Sequence, residues 1–412
     1  MSRDFATRLS QQLSQFVPHS APLVLLVLTL AAAVAFAAVS HLVTRFNANQ
    51  QARGRKLYAE GMADANAHRF DDAIAAFRAA LTCDPSDSQY QLSLARALRD
   101  SNDPRRLDEA ESYLVALWQR TPQDAAVNLA LARVAAHRGD IEDATRYYHN
   151  AMYGVWNSDS DSNRRHVRIE LIQFLLKRNA SARAESEIIA LAASLPPDPA
   201  LHLQTAQLFA QVQDYSNALS QYQEVLRLDS TNPVAFAGAG ESAYRLSDYN
   251  AAERYLRDAV TANPENANSR QLLDSVGLVL DSNPYRSHIS DAERNRRIVA
   301  AFAQAGNRLT ECAQQLGIDL NPSRSGGQSG SVNPPLDSAD SSASPLLALQ
   351  LRWSAMKPSL MRLRTPRETD LPDSIIDLVF QIEQRTASSC GPPQGFDQAL
   401  LLISQRRQAA GQ

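Results

Sequence analysis

Few residues in this chain are spaced to do covalent chemistry. The three cysteines, Cys83, Cys312 and Cys390, form neither a C-x-x-C pair nor a cysteine–histidine cluster with metal-ligand spacing. What remains open to them is disulfide formation. Cys83 reads as a small packing residue. Cys312 and Cys390 can meet only if the C-terminal segment folds back, and a bridge between them would imply an oxidising compartment. The sequence leaves both outcomes open. The histidines at 137, 149, 166, 202 and 288 are scattered, and no Ser/His/Asp set follows from their spacing. There is no G-x-x-x-x-G-K-[ST], no H-E-x-x-H and no G-x-S-x-G. Gly238-Ala239-Gly240 lies in a helical stretch with no strand before it, so it serves close packing rather than phosphate binding. No catalytic, cofactor-binding or metal-binding residue is assigned, and the chain reads as a non-enzyme. A net charge of −3 gives no global attraction to nucleic acid. The basic run Arg352, Trp353, Lys357, Arg362, Arg364 and Arg367 matches no nucleic-acid module and reads as solvated chain.

The elements that must position any binding residues repeat along the chain. Alanines at 73, 110, 144, 184, 218 and 252 are 37, 34, 40, 34 and 34 residues apart. Four residues after each stands a larger apolar or aromatic side chain, such as Phe77, Tyr148 or Leu256. Three further on comes another small residue, as at Ala80, Ala151 and Ala259, so the set shares one helix face. Small residues let two helices approach and the large one fills the gap beside them. Prolines such as Pro85, Pro122 and Pro264 then stop the helix. The pattern predicts helices over 54–67 and 71–82, 88–100 and 106–119, 124–137 and 141–153, 165–178 and 182–193, 200–212 and 216–228, and 234–246 and 250–262. The second unit carries three extra residues around Ser101-Asn102-Asp103-Pro104. The third runs into a polar loop, Asn157 to Asn163.

Twelve positions before Ala73, Ala144, Ala218 and Ala252 stand Gly61, Ala132, Ala206 and Gly240, and Ile172 holds that place in the fourth unit. With this signature the array resembles tetratricopeptide repeats (TPRs) over roughly residues 54–266. The resemblance implies an all-α fold. An α-α superhelix of about six repeats would be closed by a C-terminal capping helix and preceded by one transmembrane helix. It also implies that the first helix of each repeat lines a concave groove for a partner protein or peptide. Carried over, the groove positions are Tyr58, Met62 and Asn66 in the first repeat and Arg96 and Arg99 in the second. Arg133 and His137 follow in the third, and His166, Gln173 and Lys177 in the fourth. Gln207 stands in the fifth, and Glu241, Tyr244 and Arg245 in the sixth. The basic middle of this row suits an acidic or carboxylate-ended partner, although a solvated helix face of mixed charge gives the same pattern. The Lys/Asn clamp by which some TPRs hold a chaperone's C-terminus is replaced here by Tyr58, Met62, Ser93, Ala126 and Ala130.

Residues 21–44 carry no formal charge and are long enough to cross a bilayer as a helix. Ala35-Phe36-Ala37 offers the rival reading of a cleaved signal peptide. Residues 1–20 read as an amphipathic or flexible tail and 45–53 as a joint, with a continuous helix into the first repeat as the alternative. Arg3 and Arg8 precede the apolar segment, whereas Arg45, Arg53, Arg55 and Lys56 follow it. That count leans toward a cytoplasmic body. After the array come capping helices over 267–317. Ser290-Asp291-Ala292-Glu293 reads as a capping box. Ile298, Phe302, Ala305, Leu309, Cys312 and Leu316 form a seam that could cap the array or join two copies through the 290–316 helix. Residues 318–345 read as a Ser/Gly/Pro linker and 346–412 as a helical segment. The reading is a single-pass, membrane-anchored TPR scaffold without cofactors, acting in assembly of an envelope, secretion or export complex. The alternatives are a regulatory subunit of a membrane enzyme or a secreted periplasmic TPR protein.

Overall fold

A computed structural model describes residues 21–320, 343–364 and 371–410. The expected amphipathic tail at 1–20, Arg367 and most of the linker lie outside the described residues. Among the described residues the chain is helical with no strand, apart from one isolated bridge between Asp124 and Val155. It forms two compact units that divide after Glu187.

The first unit begins with α1 (Ala21–Asn66), followed by α2 (Phe70–Cys83), α3 (Ser88–Asp100), α4 (Pro104–Arg120), α5 (Ala125–Arg138), α6 (Ile141–Tyr153) and α7 (Ser160–Lys177). The division falls inside α8 (Ser181–Ala192). Aspartates start several of these helices: Asp87, Asp103, Asp124 and Asp140 each accept from a backbone N–H in the first turn. Each turn within a repeat needs one residue in the left-handed region, at His68, Asn102, Gly139, Asn179, Gln213 and Ser247. The alanine core position follows five residues later in every repeat but the second, where Ala110 lies eight after Asn102. The three extra residues therefore lengthen the start of α4.

Packing follows the small-residue logic. A Cβ on Gly61 would come within 2.7 Å of the Phe77 ring, and one on Gly240 within 2.6 Å of Leu256. Ile172, in the equivalent place of the fourth repeat, is fully buried all the same. Residues 45–53, read as a joint, are uninterrupted helix in α1. Gly54 does not break it, because it is buried where a Cβ would lie 3.1 Å from Cys83. From Leu25 to Val39 the helix α1 is apolar and bare, with Phe36 76 % exposed, and Leu42 beyond it is 72 % exposed. Among the described residues this one helix is long and apolar enough to cross a membrane.

The second unit holds α9 (Pro199–Gln211), α10 (Tyr215–Leu228), α11 (Pro233–Arg245), α12 (Tyr249–Ala262), α13 (Ala267–Ser282), α14 (Asp291–Gln315) and α15 (Ala343–Met356). A 3-10 turn (Lys357–Arg364), α16 (Leu371–Cys390) and α17 (Gly395–Ala410) complete it. One apolar core joins Leu256 and Tyr249 of the last repeat to Phe302 of α14, Ile376 of α16 and Leu400 of α17. The C-terminal segment is thus part of this unit. Trp353 stacks on Phe302 at 5.2 Å and donates its indole N–H to the Phe302 carbonyl at 3.0 Å. The seam expected to cap the array or join two copies takes part in this packing. Ile298, Phe302, Ala305, Leu309 and Cys312 are at most 2 % exposed, whereas Leu316 is 41 % exposed. Cys312 and Cys390 are bonded as a disulfide, with Cα atoms 5.6 Å apart.

Candidate functional site

The chemistry of the first unit concentrates on one set of facing helices. Arg96 and Arg99 lie one turn apart on α3, Arg133 on α5, Tyr148 on α6 and Glu170 on α7. The last three form a closed system. Arg133 donates Nε and Nη2 to the two oxygens of Glu170, each at 2.8 Å, and the Tyr148 hydroxyl donates to Oε1 at 2.8 Å. Burial pushes the Glu170 carboxyl up, but the hydrogen bonds and charge of Arg133 outweigh it and hold the group below the usual range. The same pairing raises the Arg133 guanidinium. Burial, reinforced by Glu170, raises the Tyr148 phenol, which stays neutral and fixes the carboxylate.

Arg99 pairs with the neighbouring Asp100 at 2.7 Å, yet its Nη1 is buried with no acceptor. Arg96 has no ion pair among the described residues, and its Nε is likewise buried without an acceptor. Burial, then the like charges of Arg133 and Arg99, lower its proton affinity. Asp124 opposes this weakly, but its carboxylate caps α5 through Ala126 at 2.8 Å and Val127 at 3.2 Å. The arrangement is a half-buried group of guanidinium ions in which Arg96 lacks an ion-pair partner among the described residues.

Tyr58 borders this group. Its hydroxyl shares a 3.2 Å hydrogen bond with Ser93, and its ring stacks on Tyr90 at 5.0 Å. His137 meets Asn102 at 3.3 Å, and His166 meets Ser162 at 3.4 Å. Met62, Asn66, Gln173 and Lys177 are exposed. In the second unit Gln207 is exposed, Arg245 pairs with Glu241 at 3.6 Å and lies over Tyr215, and Tyr244 packs edge-on to Tyr249. Sequence reasoning missed Glu170 as the partner of Arg133. It stands two residues before Ile172, the place held by Ser93 in the second repeat and Ala130 in the third, so aligning the repeats exposes a charge where those repeats carry none. It also missed Glu187, which His149 contacts at 2.8 Å and Arg168 at 3.4 Å. In the second unit it missed Glu383, whose two carboxylate oxygens are buried without a partner. No group of His, Cys, Asp and Glu among the described residues could hold a metal ion.

Residues 60–164, about a quarter of the chain, match the family described as the cytochrome c-type biogenesis protein H TPR domain. No curated protein matches the chain. Among solved structures, PilF of Pseudomonas aeruginosa is 16 % identical over 54 % of this chain and 97 % of its own, with a TM-score of 0.37. YrrB, a TPR protein with an unusual peptide-binding site, is 18 % identical over 47 % of this chain and 96 % of its own, with a TM-score of 0.36. A TPR protein of Cytophaga hutchinsonii is 13 % identical over 58 % and 92 %, with a TM-score of 0.41. The matched family and the helix pairs make this a TPR protein.

Proposed function

With a TPR protein as the premise, we propose a membrane-tethered, non-catalytic adaptor. Its repeat body stands on the oxidising side of the membrane and holds a partner protein during assembly of an envelope complex. The observation that carries the reading is the Cys312–Cys390 bridge. Such bridges persist in oxidising compartments and are rare where thiols are kept reduced. The bare apolar half of α1 supplies the tether. The count of basic residues around that segment points the other way, but it is a small difference between short flanks, whereas a bridge deep in the second unit bears directly on redox environment. The match to a family named for cytochrome c-type biogenesis favours an assembly role at the envelope.

A fusion of alkaline phosphatase after Gln412 is expected to be active in cells, because that enzyme matures only outside the cytoplasm. An inactive fusion, with a cytoplasmic fluorescent protein bright at the same position, would contradict the proposed side.

A further inference from the structure

One edge of the first unit is marked by α1. That helix runs unbroken from the apolar segment into the first repeat, so the repeats have a near end and a far end along it. The end of α2 and the start of α3 lie level with Gly54, where a Cβ would stand 3.1 Å from Cys83 and 3.4 Å from the Tyr90 hydroxyl. Arg120, which ends α4, donates to the Ser86 carbonyl at 3.5 Å and to Gln91, and so brings the next turn to the same edge. The chain between α6 and α7 is fastened there as well. Val155 donates to the Gln123 carbonyl at 2.8 Å and accepts from the Ala125 N–H at 3.2 Å. The three turns between repeats in this unit thus lie at the end from which α1 leaves for its apolar segment.

Two of these turns are polar, Asp84-Pro85-Ser86-Asp87 and Thr121-Pro122-Gln123-Asp124. The third presents Tyr153, 74 % exposed, and Val155, 63 % exposed, with Trp156 half-buried beside them. Its backbone is held in place, because a Cβ on Gly154 would come within 2.8 Å of the Asn150 carbonyl and 2.9 Å of the Gln123 carbonyl. The Trp156 indole N–H donates to the Ala151 carbonyl at 3.0 Å. With these groups satisfied inside the chain, the turn leaves water at little cost. It also reaches past Gly54 toward the apolar segment. Ile172 holds the register place of Gly61, so Ser160, which starts α7, corresponds to Asn49 of α1. Asn49 stands six residues beyond Val43, about 9 Å along the helix. The headgroup layer beyond the hydrocarbon is roughly 5–8 Å deep.

We infer that Tyr153, Val155 and Trp156 form a second membrane contact, in which the turn between α6 and α7 rests in the headgroup layer of the bilayer that holds α1. This rests on the tether proposed above. Tyr and Trp favour that layer, where an apolar ring and a polar tip are both accommodated. The contact is apolar rather than ionic. Asp87 and Asp124 cap helices, Asp84 accepts from Ser86, and Asp159 accepts from Ser162. A second point of attachment keeps the first unit from swinging about α1.

The test uses the full chain in phosphatidylcholine vesicles, with Cys83→Ser and one environment-sensitive label. The label sits on Val155→Cys or on Asn66→Cys, an exposed position at the far end of α1. Cys312 and Cys390 are bonded and take no label. A nitroxide on the lipid headgroup is the quencher. The label at 155 is expected to lose at least about half of its emission, and the label at 66 almost none. Raised salt should leave this difference unchanged, because no ion pair with the lipid is involved. Adding Tyr153→Asp should restore most of the emission at 155. Circular dichroism checks folding, and flotation with the vesicles checks the tether. Absent quenching at 155, or equal quenching at both positions, in protein that floats would overturn the contact and leave the tether standing. An unquenched turn would then be open to a protein partner instead. Failure of parent and labelled proteins alike to float would overturn the tether and the contact together.

Discussion

Replacing Cys390 by serine is expected to lower the stability of the second unit by about 4.5 kcal/mol, in the chain-entropy estimate for a loop of this length. The bridge joins residues 78 apart, from α14 to the end of α16, and its loss frees that loop in the unfolded chain. The folded state should tolerate the change. Cys312 is fully buried in apolar surroundings, where a free thiol behaves as a small hydrophobe. The measurement is urea unfolding of the full chain in micelles, with Trp118 and Trp156 changed to phenylalanine so that Trp353 alone reports. Trp353 lies within the closed loop and stacks on Phe302, so its emission follows this unit. A loss below about 1 kcal/mol would show that the bridge constrains little of the unfolded chain.

Replacing Glu383 by glutamine is expected to stabilise the same unit by about 3 kcal/mol at pH 7 and to remove much of its pH dependence. Glu383 is fully buried on α16, and neither of its oxygens has a partner. Burial, helped by Asp397 of α17 and opposed by Arg308 of α14, pushes its carboxyl from 4.5 up to about 8. A value raised in the fold means that the folded chain keeps a proton the unfolded chain has released. Stability therefore declines as pH rises from about 4.5 to about 8, and is highest at the acid end of that window. At pH 7 the penalty is on the order of 3 kcal/mol. Glutamine is neutral throughout, so variant and parent should agree near pH 5 and separate as pH rises. Asp397, also raised by burial, contributes a residual slope of the same sign in both proteins. Urea midpoints at pH 5 and 8 check this, and parallel curves for the two proteins would contradict it.

The helix pairs were legible because each repeat writes its close approach as a small residue facing a large one. Gly61 against Phe77 and Gly240 against Leu256 are readable without coordinates. The insertion in the second repeat was readable as well, and the structure places it between Asn102 and Ala110. Gly54 lies inside α1, where it makes room for Cys83 and Tyr90. The α14 seam was readable only in part. A 3-4 apolar spacing describes a dimer seam and a buried core helix equally, and only the return of α15, α16 and α17 onto it decides between them. In the candidate site, the basic positions were readable from the repeat register. Their pairing was not, because Arg133 and Glu170 meet across helices 37 residues apart. The difference between a satisfied Arg133 and an unsatisfied Arg96 exists only in three dimensions.

The most direct test of an oxidised, membrane-tethered body is a thiol count in intact cells. Cells are quenched in acid, denatured, and treated with a polyethylene-glycol maleimide before and after reduction. The account predicts one adduct before reduction, on Cys83, and three after it. Three adducts without reduction would mean that Cys312 and Cys390 are free in the cell, and would contradict the oxidising location on which the proposed function rests.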